Sequence, residues 1–267
     1  MYTPKNQKAV SRPEVKKAKF KVFSRGLLKI LLIVGAVFGI LAGIYKGGEM
    51  ILMSEDFMIK SIIVQGNYSV RKEEIIKAGG LCANMNIYFI ETEKIKQNIL
   101  RHPDIEKVSI EREIPDKLII RVKEREPSVI VKTPSGKTLP VDRQGVILSE
   151  NKLENAASLP VVMTGKEVGS EGQKCRDEKV VSAINYLVVI RHAPERNFLK
   201  VKVVDTREKD ALIFKTVSID EIYLSEEYSS DAVAKIFEVV KNLRDTGRGA
   251  AKIDARYTDV AVVCKYL

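Results

Sequence analysis

The chain opens on a polar, basic stretch, runs apolar without interruption for about one bilayer thickness, and then breaks into short apolar segments of two different periods. The uninterrupted run, Gly26–Tyr45, reads GLLKILLIVGAVFGILAGIY. Its sole charge is Lys29, and no polar side chain occurs from Ile30 to Ile44. Twenty helical residues span about 30 Å, the hydrocarbon thickness of a bilayer, so one membrane-spanning helix is expected over 26–45. Lys29 sits one turn from the start, where a lysine can reach back to the headgroups. Gly35, Gly39 and Gly43 fall on one helix face. That spacing suits close helix–helix approach, but glycine is also simply common in membrane helices. A cleaved signal peptide fits less well, because the preceding tail is long, the apolar run exceeds a usual h-region, and no clear A-x-A follows.

Beyond a short linker with Gly47-Gly48, the pattern becomes that of a small folded domain. Ile59–Val64 reads as a strand ended by the turn signal Gly66-Asn67. Ser69 is placed to cap a helix over about 70–78, with Glu73 and Glu74 in its first turn and Gly79-Gly80 at its end. Thr92 is placed to cap a second helix carrying Ile95 and Ile99 on one face, closed by His102-Pro103. In Ile105–Arg112, Val108 and Ile110 alternate with Lys107, Ser109 and Glu111. In Lys117–Glu124, Leu118, Ile120 and Val122 alternate with Ile119, Arg121 and Lys123. Period two is the mark of a sheet with one buried face. The order β-α-α-β-β predicts two helices on one side of a three-stranded sheet.

The remainder alternates strands with two helices. Asp177–Arg191 carries Val180, Ile184, Leu187 and Ile190 at helical spacing, and Ser230–Arg244 carries a stripe of Val233, Ile236, Phe237, Val240 and Leu243. Strands are expected at Leu199–Val204, Ala211–Phe214, Glu221–Leu224, Lys252–Ala255 and Val260–Lys265.

Charge changes the picture once. The formal net charge of +10 suggests nucleic acid. Yet residues 1–25 alone hold eight Lys/Arg against Glu14, while residues 46–267 hold 36 basic and 34 acidic groups. The excess is a terminal tail and not a basic face. No nucleic-acid partner is therefore expected. The cations before the apolar run put the N-terminus in the cytoplasm and residues 46–267 outside. The tail itself has two readings, a topology signal or a segment lying on anionic lipids.

Candidate reaction chemistry is sparse. The chain has no G-x-S-x-G, S-x-x-K, H-E-x-x-H or G-x-x-x-x-G-K-[ST]. Glu111-Arg112-Glu113 and Lys123-Glu124-Arg125-Glu126 read as solvated strand faces. The three cysteines (Cys82, Cys175, Cys264) form no CxxC, and His102 and His192 are the only histidines. No catalytic residue, metal, cofactor or small-molecule substrate is expected. The cysteines read either as three small buried hydrophobes or as one disulfide with a thiol left over.

The residues do resemble a known family. Val64-Gln65-Gly66-Asn67 with Ser69, Leu81–Phe89 (LCANMNIYF), and His102–Pro127 (HPDIEKVSIEREIPDKLIIRVKEREP) resemble the POTRA domain of the FtsQ/DivIB bacterial cell-division proteins. The last matches a family pattern of the form P-x-V-x-x-V-x-V-x-R-x-x-P-x-x-L-x-I-x-V-x-E-R-x-P. Leu139–Leu148 (LPVDRQGVIL) resembles the family's VD-x-x-G hairpin, Leu159–Gly165 its LP-x-x-x-G, and Ile253–Tyr257 its I-D-x-R-Y. Asn84 stands where the family usually has glycine, and asparagine tolerates the same left-handed turn.

The resemblance implies an α+β fold. A single transmembrane helix is followed by a β-α-α-β-β POTRA domain and a C-terminal mixed α/β domain on a curved, mainly antiparallel sheet. The expected boundaries are a basic cytoplasmic tail 1–25, the transmembrane helix 26–45, a linker 46–56, a POTRA domain 57–127 and a C-terminal domain 128–267.

It also implies a non-enzymatic scaffold in the septal cell-wall synthase complex. Such a scaffold is a single-pass inner-membrane protein at the division septum, binding FtsB-like and FtsL-like bitopic partners. A POTRA-bearing secretion component and a membrane-anchored enzyme are the rival readings. Edge strands offer backbone groups to a partner strand. The best candidate is Asp259–Tyr266, with Val260, Val262 and Cys264 on one face and the family's Arg-Tyr pair falling on Arg256 and Tyr257. A weaker second surface is Lys107, Ser109 and Glu111.

Overall fold

A computed structural model describes residues 14–82, 84–154, 156–257 and 259–265; for 14–28, 49–52, 195, 264 and 265 the description is of the backbone alone. Residues 1–13, and with them half of the expected basic tail, lie outside the described residues. Two compact units result, one ending at Met58 and the other covering Ile59–Leu267.

The first unit is a single helix, α1 (Glu14–Leu52), followed by a 3-10 turn at Glu55–Phe57. Within α1, Lys29–Gly48 is long and apolar enough to cross a membrane. The helix is longer than the apolar run. At 39 residues it measures about 58 Å. It continues to Leu52, into the first part of the expected linker 46–56, because a helix once nucleated propagates cheaply across neighbouring positions, even Gly47 and Gly48.

The second unit begins with β1 (Ser61–Gln65), α2 (Lys72–Ala78), α3 (Thr92–Ile99), β2 (Ile105–Glu113) and β3 (Lys117–Glu124). The sheet order is β1-β3-β2, with β1 parallel and β2 antiparallel to the central strand. Period two holds as expected: Leu118, Ile120 and Val122 are buried together with Ile75, Ile95 and Ile99 from the two helices. The opposite face is a solvated ladder, with Arg121 paired to Glu111 and Lys117 to Glu113. Gly66 is required where it stands. It has φ +80, and a Cβ there would run into the carbonyl of Val122. Asn84 takes the left-handed conformation (φ 65), as expected for that turn.

Eight further strands form one sheet. They are β4 (Pro127–Lys132), β5 (Thr138–Asp142), β6 (Val161–Met163), β7 (Val201–Asp205), β8 (Leu212–Thr216), β9 (Ile219–Leu224), β10 (Gly249–Asp254) and β11 (Ala261–Lys265). Their order is β11-β10-β9-β8-β7-β6-β4-β5, with four antiparallel and three parallel ladders. The α+β layout expected from sequence is thus the one observed. Helices α4 (Glu178–His192) and α5 (Ser230–Asp245) pack on β4 and β10, enclosing the main core. Both start at well-made caps: Asp177 accepts the Lys179 N–H and Ser229 the Ala232 N–H. Tyr186 is fully buried, edge-on to Phe214 at 5.8 Å. Its hydroxyl donates to the Glu227 carbonyl (2.8 Å) and accepts from the Ser229 N–H (3.0 Å), fastening the start of α5 to α4.

Several local expectations are corrected. Ser69 and Thr92 do not cap α2 and α3; Arg71 and Glu91 occupy the cap positions, with no side-chain cap bond. Cys82 is an exposed free thiol, whereas Cys175 is free and buried, so the reading of three buried cysteines fails at Cys82. The largest correction is Glu124, read from sequence as part of a solvated charge run. It is 8% exposed. One carboxylate oxygen accepts the N–H groups of Tyr68 (2.6 Å), Ser69 (2.9 Å) and Val70 (2.9 Å). The other accepts Lys152 Nζ at 2.5 Å, and that ammonium also donates to Ser69 Oγ at 3.1 Å. Ser69 therefore serves the junction and not a helix cap. Position 124 is the fourth inward site of β3, after 118, 120 and 122, so strand period itself carries the acid inside.

Lys152 comes from the far side of the β3–β4 connection, in a 3-10 turn at Glu150–Leu153. Nearby, the buried Asp104 accepts both the N–H (2.9 Å) and the hydroxyl (2.5 Å) of Ser149. Arg125 donates to Asp142 at 2.6 Å. Asp142 in turn accepts the N–H groups of Gln144 and Val146, closing the VDRQG turn. Among the described residues no buried side-chain polar atom lacks a partner.

Two outcomes follow. Tyr186→Phe removes the acceptor of the Ser229 N–H and should lower unfolding stability by about 1–3 kcal/mol in urea titrations, with the denaturant slope unchanged. Glu124 is held below its ordinary value of 4.5: burial opposes this, but the hydrogen bond from Lys152 and the N–H groups of Val70 and Tyr68 outweigh it. A lowered folded pKa means the stabilisation is full above the unfolded value and is lost as pH falls through the folded one. Glu124→Gln should therefore flatten the acid limb of a melting-temperature-versus-pH profile and change its neutral limb to a lower plateau.

Candidate interaction edge

The eight-stranded sheet has two ends, and they are treated differently. At one end, β5 is covered by the segment that follows it: Val141 bridges to Ile147, and the Leu148 N–H donates to Pro140 O at 2.8 Å. At the other end stands β11. It pairs with β10 from Asp254↔Ala261 to Gly249↔Lys265, with a bulge between Ala250 and Lys252, and no described strand adjoins its other side. An edge strand of this kind holds a row of N–H and C=O groups available to another chain.

Register assigns the side chains of β11 to faces. Val262 lies opposite Ile253, which is fully buried, and both Val260 and Val262 pack against the main core. Val263 lies opposite Lys252 and Ala261 opposite Asp254; both are exposed, Val263 by 56%. Of the sequence-chosen set, Val260 and Val262 are thus core-facing. Cys264 lies in the same strand, but its side chain is outside the described residues, as is Tyr266. The outward residues Ala261 and Val263 were not singled out from sequence, because alternation marks two faces without telling which one meets the helices.

The segment before β11 carries the polar end of the edge. Ile253 and Ala255 are buried, so Asp254 and Arg256 project to the other side. Arg256 binds Asp254 as a fork, Nε to Oδ1 at 2.9 Å and Nη2 to Oδ2 at 2.7 Å. The Asp254 carboxyl is held below its ordinary range by that hydrogen bond, and the guanidinium pKa is raised in turn. The guanidinium also lies 5.6 Å from the Tyr223 ring centroid and 5.2 Å from that of Tyr257. Lys252 Nζ sits 3.8 Å over Tyr223, whose hydroxyl donates to Glu221 at 2.7 Å. The hydrogen bond to the Glu221 carboxylate raises the phenol's pKa. Tyr257 is 70% exposed. The edge thus ends in a stacked, fixed arginine beside an exposed tyrosine, two residue types enriched in protein interfaces.

The second sequence-chosen surface is also at an edge. Lys107, Ser109 and Glu111 are exposed along β2, an outer strand of the small sheet. Glu111 is held by Arg121, so only part of this row is unengaged. The two histidines serve the backbone: His102 Nδ1 accepts the Asp104 N–H, and His192 Nδ1 lies 2.7 Å from Val188 O. Among the described residues no group of three or more His, Cys, Asp or Glu side chains could hold a metal ion.

Comparison with known proteins bears on the same regions. A family model described as a POTRA domain, FtsQ-type, matches residues 57–125, the three-stranded unit. The cell division protein FtsQ of Syntrophotalea carbinolica is 31% identical over 123 residues, covering 43% of this chain and 44% of that protein. The cell division protein DivIB of Clostridium tetani is 29% identical over 144 residues, covering 54% and 49%. A longer match, 22% identical over 246 residues, joins 88% of this chain to 68% of the cell division protein FtsQ of Bradyrhizobium diazoefficiens. The chain spans about half the length of the first two of these relatives. The chain thus combines an apolar N-terminal helix with an FtsQ-type POTRA domain and a mixed C-terminal sheet, and it is similar in sequence to cell division proteins named FtsQ and DivIB.

Proposed function

We propose that this protein acts in bacterial cell division as a non-catalytic scaffold whose β11 edge captures a strand from a bitopic partner of the FtsB or FtsL type. The observation that carries the proposal is the contrast between the sheet's two ends, β5 covered and β11 open, with Arg256 and Tyr257 fixed beside the open one. In strand addition, backbone bonds supply affinity and the alternating side chains supply register. The outward row Ala261 and Val263 would meet one face of the added strand, and Tyr257 would flank its end. The core-facing Val260 and Val262 would contribute through their backbone only.

The setting is that of a single-pass protein of the inner membrane, with its N-terminus in the cytoplasm, its sheets outside and its place at the septum. There it would link its partners to the septal cell-wall synthase complex. The supports are the cations that precede the apolar helix and the names of the relatives. No step of this role calls for turnover, a metal or a cofactor. The exposed row of β2, Lys107, Ser109 and Glu111, would be a secondary contact.

Three outcomes test the scaffold reading. A photoreactive residue at Val263 should crosslink to the partner in dividing cells, whereas one at Val262 should not. Equal yields at both, or none at either, reject strand capture. Tyr257→Ala should leave thermal stability within about 0.5 kcal/mol of the parent, as for an exposed side chain, yet weaken partner binding roughly tenfold or more in titration calorimetry. Val262→Asp should instead cost about 1–3 kcal/mol of fold stability, because it buries an uncompensated charge against the core.

A further inference from the structure

Between Glu124, the last residue of β3, and Pro127, the first of β4, the chain has two residues, Arg125 and Glu126. A connection that short still leaves several free backbone dihedrals, and two sheets joined by it alone would swing against each other. Here the connection is bridged on several sides. Lys152, 5% exposed, reaches across to Glu124 and Ser69. Ser149 reaches across to the buried Asp104. Arg143 lies 3.5 Å from Glu106, and Gly172 lies against Pro103. The charges at the first two bridges are buried and fully hydrogen-bonded. Such pairs hold one geometry, because any relative rotation would leave a buried ion without its partner.

We propose that Lys152 and Ser149 form a latch that makes the two sheets one rigid platform, so that the open edges β2 and β11 are held at a fixed separation. The β3–β4 connection is then a locked joint and not a hinge. None of the latch residues belongs to either edge, so the latch can be opened while the edges stay intact. The inference rests on the scaffold reading only for what the edges bind; the rigidity itself needs no partner.

Lys152→Met is the informative substitution. It keeps a long stem in the same space, and Glu124 keeps its three backbone N–H donors, so the small sheet retains its own fold. Combined with Ser149→Ala, it removes both buried bridges. The full-length protein would be placed in lipid nanodiscs with nitroxides attached through p-acetylphenylalanine at Ser109 on β2 and Val217 in the exposed β8–β9 turn, and the distance distribution measured by pulsed electron paramagnetic resonance. The parent should give one narrow peak, and the double variant a distribution about twice as wide or wider, at unchanged helix content by circular dichroism. A broad distribution in the parent, or equal widths in the two proteins, overturns the latch. If the double variant does not fold, Ser149→Ala alone is compared in the same way, and an unchanged width there together with no broadening in Lys152→Met alone has the same meaning. These outcomes stand apart from partner crosslinking at Val263: loss of crosslinking sinks strand capture and leaves the latch standing, and a flexible parent does the reverse.

Discussion

Everything outside the membrane helix is organised around one buried carboxylate. Glu124 closes β3 on its inward face, binds the loop that follows β1 through three amides, and receives the ammonium of Lys152 from beyond the β3–β4 connection. Moving a lone carboxylate from water to such a site is expensive, and four hydrogen bonds offset that cost only if the β1–α2 loop, the end of β3 and the Glu150–Leu153 turn all keep their places. The ion therefore specifies an arrangement more than it stabilises one. The local fold of the POTRA unit, the course of the connection and the start of the large sheet share this one set of contacts.

The large sheet extends away from that junction. Its second strand, β5, is shielded at one end of the sheet by residues 146–148, while β11, the last described strand, ends the other. Among the described residues one end of the sheet is thus covered and the other is not. Helices α4 and α5 cover one face and hold Ile222, Ile253 and Val262 against it, which leaves Lys252, Asp254, Tyr223 and Val263 on the other. On the side away from the helices the edge thus carries polar and aromatic residues from β9 and β10 beside the exposed, apolar Ala261 and Val263 of β11.

Arg256 is held by contacts within the chain. Its fork to Asp254 and its place near the rings of Tyr223 and Tyr257 restrict its rotamer freedom. Tyr257 itself stays exposed, its ring centroid 5.2 Å from the guanidinium.

The sequence by itself determined the apolar helix, the β-α-α-β-β order, both long helices of the C-terminal part and the boundaries of β3, because these depend on periodicity that each segment carries within its own residues. The turn at Asn84 and the Asp142 hairpin were placed by the family resemblance, and the left-handed backbone at Asn84 agrees with it. Tertiary structure decided what depends on distant residues. Glu124 sits in a run of charges that reads as solvated, and only the arrival of Lys152, 28 positions later, makes it a buried partner. Ser69 has the chemistry of a helix cap but is claimed by the same lysine. Val262 and Val263 alternate identically in sequence, and only the packing of the core behind β10 sends one inward and the other out. The C-terminal strand was the sequence's best candidate for the edge, and the sheet order, with β11 at its end, is what decides it, because an edge is defined by the absence of a neighbour.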